Sequence, residues 1–332
     1  MSRTQVANAG ALLFAIALAL FLGYDRGPRA PMTVTPTGTT VTSVRRVPLP
    51  KGGYGVADAS GHLVPLRRYE RIISTNLVSD HLLLELAEPS RILAVSRISA
   101  LQSPWRWRFA GKPTVDGMGP LETIIALKPD LVLMNVFGGE GRADKLRAAG
   151  IAVFNLGELR GLSTFLPTAE VVGELLGAPG RARGFVEKFQ QRFERVDAGL
   201  GSRPRRRAIY VAVIAGSIIG GTRGTSYHDV LTHAGLVDAA AATYTDWPKY
   251  RPEQIAALDT ELIVTKDGMA EAVCSHPGLE TLPVCERPGH VLTLPEGLLE
   301  EPGMAMLDAA ELLFAKAYPE LSAAASRPPA RP

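Results

Sequence analysis

Short β-branched runs alternate with helix-patterned segments along most of this chain, and the alternation occurs twice. In the first half RIIST (71–75), RILAVS (91–96), DLVLMNV (130–136) and IAVFNL (151–156) read as strands. Between them DHLLLELA (80–87), LETIIALK (121–128) and DKLRAAG (144–150) carry helical patterns. Such alternation requires parallel βαβ units with right-handed crossovers, so the fold class is α/β. The second half follows the same plan, with strands RAIYVAVI (207–214), ELIVTKD (261–267) and HVLTLP (290–295). Its helices are YHDVLTHAG (227–235), PEQIAALD (252–259) and a closing helix near 302–318. Pro120–Leu133 aligns without gaps on Arg251–Val264 with five of fourteen positions identical, Glu122 and Glu253 among them. A pair of lobes related by a pseudo-two-fold axis accounts for that match. At 332 residues the chain is long enough for two lobes, each with its own core.

The organisation expected is an N-terminal lobe over 54–160, a helical region over 161–205 and a C-terminal lobe over 206–322. The first lobe opens with a hairpin, Tyr54 to Leu66, around an Asp-Ala-Ser-Gly turn. The helical region breaks near Gly177-Ala178-Pro179-Gly180, and Phe185, Phe189 and Phe193 fall on one helical face that reads as core. Ahead of the body, Arg3 and the apolar run Ala9–Gly23 make residues 1–25 either a cleaved export signal or a retained membrane anchor. Residues 26–53, rich in Pro, Thr, Gly and Arg, read as a flexible tether, and 323–332 as a disordered tail. The chain is therefore expected in the periplasm, tethered to the inner membrane if the first segment is retained. With 36 basic and 33 acidic residues there is no concentrated basic excess, which excludes a nucleic-acid binder. Cys274 and Cys285 are too few for a zinc cluster and read, in an exported chain, as one disulfide.

These motifs resemble a known family. RIISTNLVSDHLLLELAEPSRILAVS (71–96), PTVDGMGPLETIIALKPDLVL (113–133) and the Gly150–Val153 strand look like the first lobe of the cobalamin and ferri-siderophore solute-binding proteins of ABC importers. GGTRGTSYHDVLTHAGLVDAA (220–240), PEQIAALDTELIV and HPGLETLPVCERPGHVLTLP (276–295) match its second lobe in order and spacing. The resemblance implies two Rossmann-like α/β lobes joined by one long helix, the class III periplasmic-binding-protein fold. It also implies a non-catalytic role, with a bulky ligand (cobalamin, ferric siderophore or haem) captured between the lobes and no resident cofactor. Glu122 and Glu253 correspond to the surface glutamates that dock on an ABC permease dimer in that family. Two departures leave a second reading open, a membrane-anchored sensor or scaffold with this fold and no transport role. No lipoprotein Cys follows the apolar run, and Asn76-Leu77-Val78 with Asp80-His81 stands where many members have a Ser-Pro type loop followed by Thr-Glu.

In an α/β fold the ligand lies at the carboxyl ends of the strands. That rule selects Asn76 and Ser79 after the first strand, with Ser79 or Asp80 as the cap of the next helix. It also selects Trp105, Arg106 and Trp107, where aromatic and cationic groups interleave, and Met118 beside two glycines. From the second lobe come Arg223, Tyr227, His228 and Trp247, with the arginines expected at anionic groups of the ligand. Tyr227 or His228 is the expected axial ligand if the cargo is haem. The aromatic loops suit a bulky ligand better than a bare metal ion, and the six histidines include no HExxH or HxH motif. A hydrolase or dinucleotide reading fails for want of GxSxG, a P-loop or the GxGxxG spacing.

Overall fold

The computed structural model describes residues 43–103, 105–135 and 140–321. The apolar leader 1–25, most of the tether and the tail 323–332 lie outside the described residues. The folded body begins earlier than expected. β1 (Arg46–Pro48), assigned to the tether, pairs antiparallel with β2 (Tyr54–Ala57), which pairs with β3 (Leu63–Pro65) in the expected hairpin. A three-residue strand of Arg-Val-Pro carries almost no periodicity, which is why it reads as tether.

The first lobe is a parallel sheet of β4 (Ile72–Ser74), β5 (Ile92–Ser96), β6 (Thr114–Val115), β7 (Leu131–Met134) and β8 (Ala152–Asn155), in the order β6-β5-β4-β7-β8. Its central strands are covered on both faces, so β7 is buried at all four positions and reads as an unbroken apolar run.

The second lobe departs from the expected plan. β9 (Arg207–Ile214) turns directly into β10 (Ser217–Gly220), an antiparallel partner, and β12 (Lys249–Tyr250) continues antiparallel beyond it. β11 (Val237–Asp238), β13 (Leu262–Lys266) and β14 (Val291–Leu294) supply the parallel part. The hairpin closes through Ala215 and Gly216, whose φ angles of +48° and +71° are the left-handed pair that a two-residue turn needs. Ala-Gly is a weak turn signal beside Asn-Gly, so the sequence alone does not announce this strand.

Two helices join the lobes, Leu162–Leu175 and Pro179–Leu200, the second spanning roughly 33 Å at 1.5 Å per residue. Gly177 at φ +72° ends the first and Pro179 opens the second, as the Gly-Ala-Pro-Gly break implies. The helices cross closely at Gly173, where an added Cβ would lie 2.2 Å from that of Ala182. Phe165 and the stripe Phe185, Phe189 and Phe193 pack ring to ring with centroids 5.2–6.1 Å apart, so the stripe is core. The closing helix, Ala305–Ala317, is fixed to the long helix by Arg192, which donates to Glu311 at 2.7 Å and Asp308 at 3.2 Å.

Cys274 and Cys285 form a disulfide that links the helix Ala270–Cys274 to the turn of helix Pro283–Glu286. In the chain-entropy view a loop of this size stabilises the fold by about 3 kcal/mol.

Candidate functional site

A cleft of about 660 Å³ opens between the lobes at the carboxyl ends of β4, β5, β6 and β7. Asn76 lies on its wall and caps the helix Leu77–Leu86, its Oδ1 accepting from Ser79 N at 3.0 Å. The cap is thus Asn76 rather than Ser79 or Asp80. Ser79 is fully buried against Ser74, 2.5 Å between hydroxyls, and does not line the cleft.

Asp80 ties that helix to the next wall element. Its carboxylate accepts from Ser96 N at 3.0 Å and from the hydroxyls of Ser96 and Ser99 at 2.5 and 2.6 Å. Burial pushes the Asp80 carboxyl above its usual range, against the pull of those serine hydrogen bonds. Ser96 in turn caps the helix Arg97–Gln102, which presents Arg97, Ile98 and Leu101 to the cleft. Ile98 and Leu101 are 46% and 69% exposed, a large apolar surface for a free wall. Sequence reasoning missed this helix, although RISALQ places Ile98 and Leu101 at i, i+3 on one face.

That helix also explains why the Trp-Arg loop falls elsewhere. It follows β5 directly and takes the place at the cleft that Trp105, Arg106 and Trp107 were expected to fill; none of the three lines it. Trp105 packs edge-on against buried His81 at 4.6 Å, Arg106 is exposed, and Trp107 borders a separate outer hollow with Arg108 and Lys112. Met118, by contrast, is on the cleft wall and 66% exposed.

From the second lobe come Tyr227 and Trp247. Tyr227 stacks on Tyr210 with centroids 3.8 Å apart, and a Cβ on Gly221 would lie 2.2 Å from the Tyr227 ring. Burial raises both phenol pKa values, so both rings stay neutral. His228 does not reach the cleft. One step along the helix from Tyr227 it turns about 100° away, and its Nδ1 meets Asp238 at 2.8 Å. Arg223 stays exposed outside the cleft. The arginine at the mouth is Arg160, which no sequence pattern marked: its guanidinium lies 4.7 Å above the Trp247 ring and is ion-paired to Asp246.

The remaining wall is acidic. Glu296 and Glu300 flank the cleft and hold Lys266, at 3.1 Å from Glu296 and closer still to Glu300. Burial disfavours the Lys266 ammonium, but the two carboxylates outweigh it and raise its pKa. Glu301 lies beneath them. Its Oε1 is 3.2 Å from His81 Nδ1, and His81 Nε2 is 2.8 Å from Ser103 Oγ. All three side chains are buried, and this Ser-His-Glu row bolts the first lobe to the C-terminal segment. Among the described residues no three potential metal ligands converge.

Glu122 and Glu253 lie away from the cleft, both exposed, in the first turns of the helices Leu121–Ala126 and Pro252–Ala256. Neither forms an ion pair among the described residues. Their surroundings repeat closely. Arg71 donates to Leu127 O and Lys128 O at 2.6 and 2.8 Å, and Arg207 to Leu258 O and Asp259 O at 2.9 and 3.1 Å. Lys128 and Asp259 both have φ near +50°. Asp130 and Glu261 then accept from the backbone N–H groups of Arg71 and Arg207 at 2.9 and 3.0 Å. The likeness first seen as five identities is therefore a repeated helix clamp.

Two α/β lobes with a bridging helix pair and a large cleft define a bilobal ligand-binding protein of class III type. The periplasmic binding protein family model matches residues 72–298, and the chain belongs to that family. It is 26% identical over 206 residues to an uncharacterized ABC transporter substrate-binding lipoprotein, YvrC, of Bacillus subtilis, covering 60% of this chain and 65% of that one. Among solved structures, a periplasmic heme binding protein from Pseudomonas aeruginosa superposes with a TM-score of 0.63 at 24% identity, over 76% of this chain and 93% of that one. The periplasmic vitamin B12 binding protein BtuF of Vibrio cholerae gives 0.57 at 21% identity, over 78% and 99%. Among the described residues no helix is long and apolar enough to cross a membrane; the apolar run lies outside them.

Proposed function

We propose that this protein is the exported substrate-binding component of an ABC importer, which captures a bulky corrinoid or metal chelate in its cleft and delivers it to a permease. The cleft is the observation that carries this reading. Its volume suits a large ligand, and Leu77, Ile98, Leu101, Met118, Tyr227 and Trp247 supply apolar surface set among polar and charged side chains. The charge of the wall narrows the choice. Arg97 and Arg160 stand against Asp116, Glu296, Glu300 and Glu301, and both arginines already hold carboxylates. A neutral, amide-edged corrinoid suits that wall better than haem with its two carboxylates.

Delivery rests on Glu122 and Glu253. Two free carboxylates on equivalent, equally clamped helices suit a symmetric partner that offers an arginine pocket to each. The test is Glu122→Arg with Glu253→Arg, followed by ligand titration and uptake in cells carrying the permease. Retained binding with abolished uptake supports the reading; unchanged uptake overturns docking, and loss of binding overturns the separation of the two surfaces.

A further inference from the structure

A second cavity, of about 540 Å³, lies where the body begins, between β1, the end of the helix Leu77–Leu86 and the start of the long helix. Five arginines line it: Arg46, Arg67, Arg68, Arg91 and Arg181. The only carboxylates in its lining are Glu174, which holds Arg46 at 2.6 Å, and Glu88, which holds Arg68 at 3.1 Å. Arg67, Arg91 and Arg181 have no carboxylate partner among the described residues.

Arg91 is the unusual member. It is only 5% exposed, with Nε donating to Tyr69 O at 2.5 Å and Nη1 to Leu176 O at 3.2 Å. Its Nη2 is buried and has no hydrogen-bond partner among the described residues. A buried cation with an idle donor is costly, and such groups are normally paired with an anion. The same cavity is bordered by Gly177, Ala178 and Pro179, the N-terminus of a 22-residue helix. That terminus has no side-chain cap and no acidic residue in its first turn, so its positive end is uncompensated.

We infer that this cavity binds a phosphate group, held by Arg67, Arg91 and Arg181 against the N-terminus of the interlobe helix. The planar guanidinium fork matches phosphate oxygens, and three forks with a helix end suit a dianion or an anionic phosphodiester. Two sources carry this chemistry, free inorganic phosphate and the headgroup of an anionic phospholipid. Arg46 stands 23 residues after the apolar run ends at Gly23, so a chain retaining that run as an anchor would keep the cavity within reach of headgroups. The site is separate from the ligand cleft, sharing none of its lining residues, and does not depend on the cargo.

The test uses the purified full chain in neutral detergent. Calorimetric titrations are run with inorganic phosphate, with dihexanoyl phosphatidylglycerol below its micelle concentration, and with dihexanoyl phosphatidylcholine as the zwitterionic control. Chloride at matched ionic strength sets the screening baseline. Saturable binding of phosphate or the anionic lipid is expected, weakened about tenfold by Arg181→Ala, the loss of one charge-assisted contact. Arg181 is exposed and, among the described residues, donates only to Leu86 O at 3.2 Å, so its replacement leaves the fold intact. Binding of phosphate alone assigns the free anion, and tighter binding of the lipid assigns the headgroup. An effect no larger than that of chloride, equal binding of the zwitterionic lipid, or an unchanged affinity in Arg181→Ala overturns the inference.

Discussion

Glu301→Ala is expected to destabilise the protein by stranding two buried groups at the cleft floor. The carboxylate satisfies two buried groups, accepting Ala305 N at 2.5 Å and lying 3.2 Å from His81 Nδ1. Glu301 is 1% and His81 0% exposed, so water cannot replace the lost partner. Each buried polar group left alone costs about 1–3 kcal/mol, which puts the loss at about 4 kcal/mol. For a domain of this size that corresponds to a fall in Tm of roughly 10 °C. Chemical denaturation followed by circular dichroism measures it. Glu301→Gln keeps one acceptor for Ala305 and offers His81 an amide, and should lose less than half as much. A Glu301→Ala protein within about 1 kcal/mol of the parent would refute the claim that this row bolts the first lobe to the C-terminal segment.

Other changes follow from single contacts. Gly221→Ala drives a Cβ to 2.2 Å from the Tyr227 ring, so it should cost about 1–3 kcal/mol and weaken ligand binding, read by thermal melting and titration. Reducing Cys274–Cys285 should lower stability by about 3 kcal/mol without altering the cleft, checked by melting with and without reductant. The hydrogen bond to Asp238 raises the His228 pKa above its usual 6.5, despite burial. The stability this contributes is therefore full below pH 6.5 and lost as pH rises through the raised folded value. Stability against pH in His228→Gln should lack that decline, and an identical profile in the variant would contradict the assignment.

The alternating pattern made both lobes legible because buried parallel strands are continuous apolar runs, as in LVLM at 131–134 and LIVTK at 262–266. The interlobe break was equally readable, since Gly177 and Pro179 are residues whose backbone preferences end and start helices. Antiparallel β10 was not, because its turn relies on Ala215 adopting a left-handed conformation that Ala seldom takes. At the site, sequence order led to Asn76, Met118, Tyr227 and Trp247 because strand ends fix where loops emerge. It failed for Trp105, Trp107 and His228, whose direction depends on an intervening helix turn or a 100° step that loop composition does not encode. Arg160, Glu296 and Glu300 were missed because their partners, Trp247 and Lys266, are distant in sequence.

The chain has three tryptophans, of which Trp247 alone lines the cleft. The most direct measurement of the central claim is therefore fluorescence of the Trp105→Phe, Trp107→Phe protein titrated with cyanocobalamin and, separately, with hemin. Saturable quenching of Trp247 by the corrinoid, with weaker quenching by hemin, is the result expected. No saturable quenching by either would contradict ligand capture in this cleft.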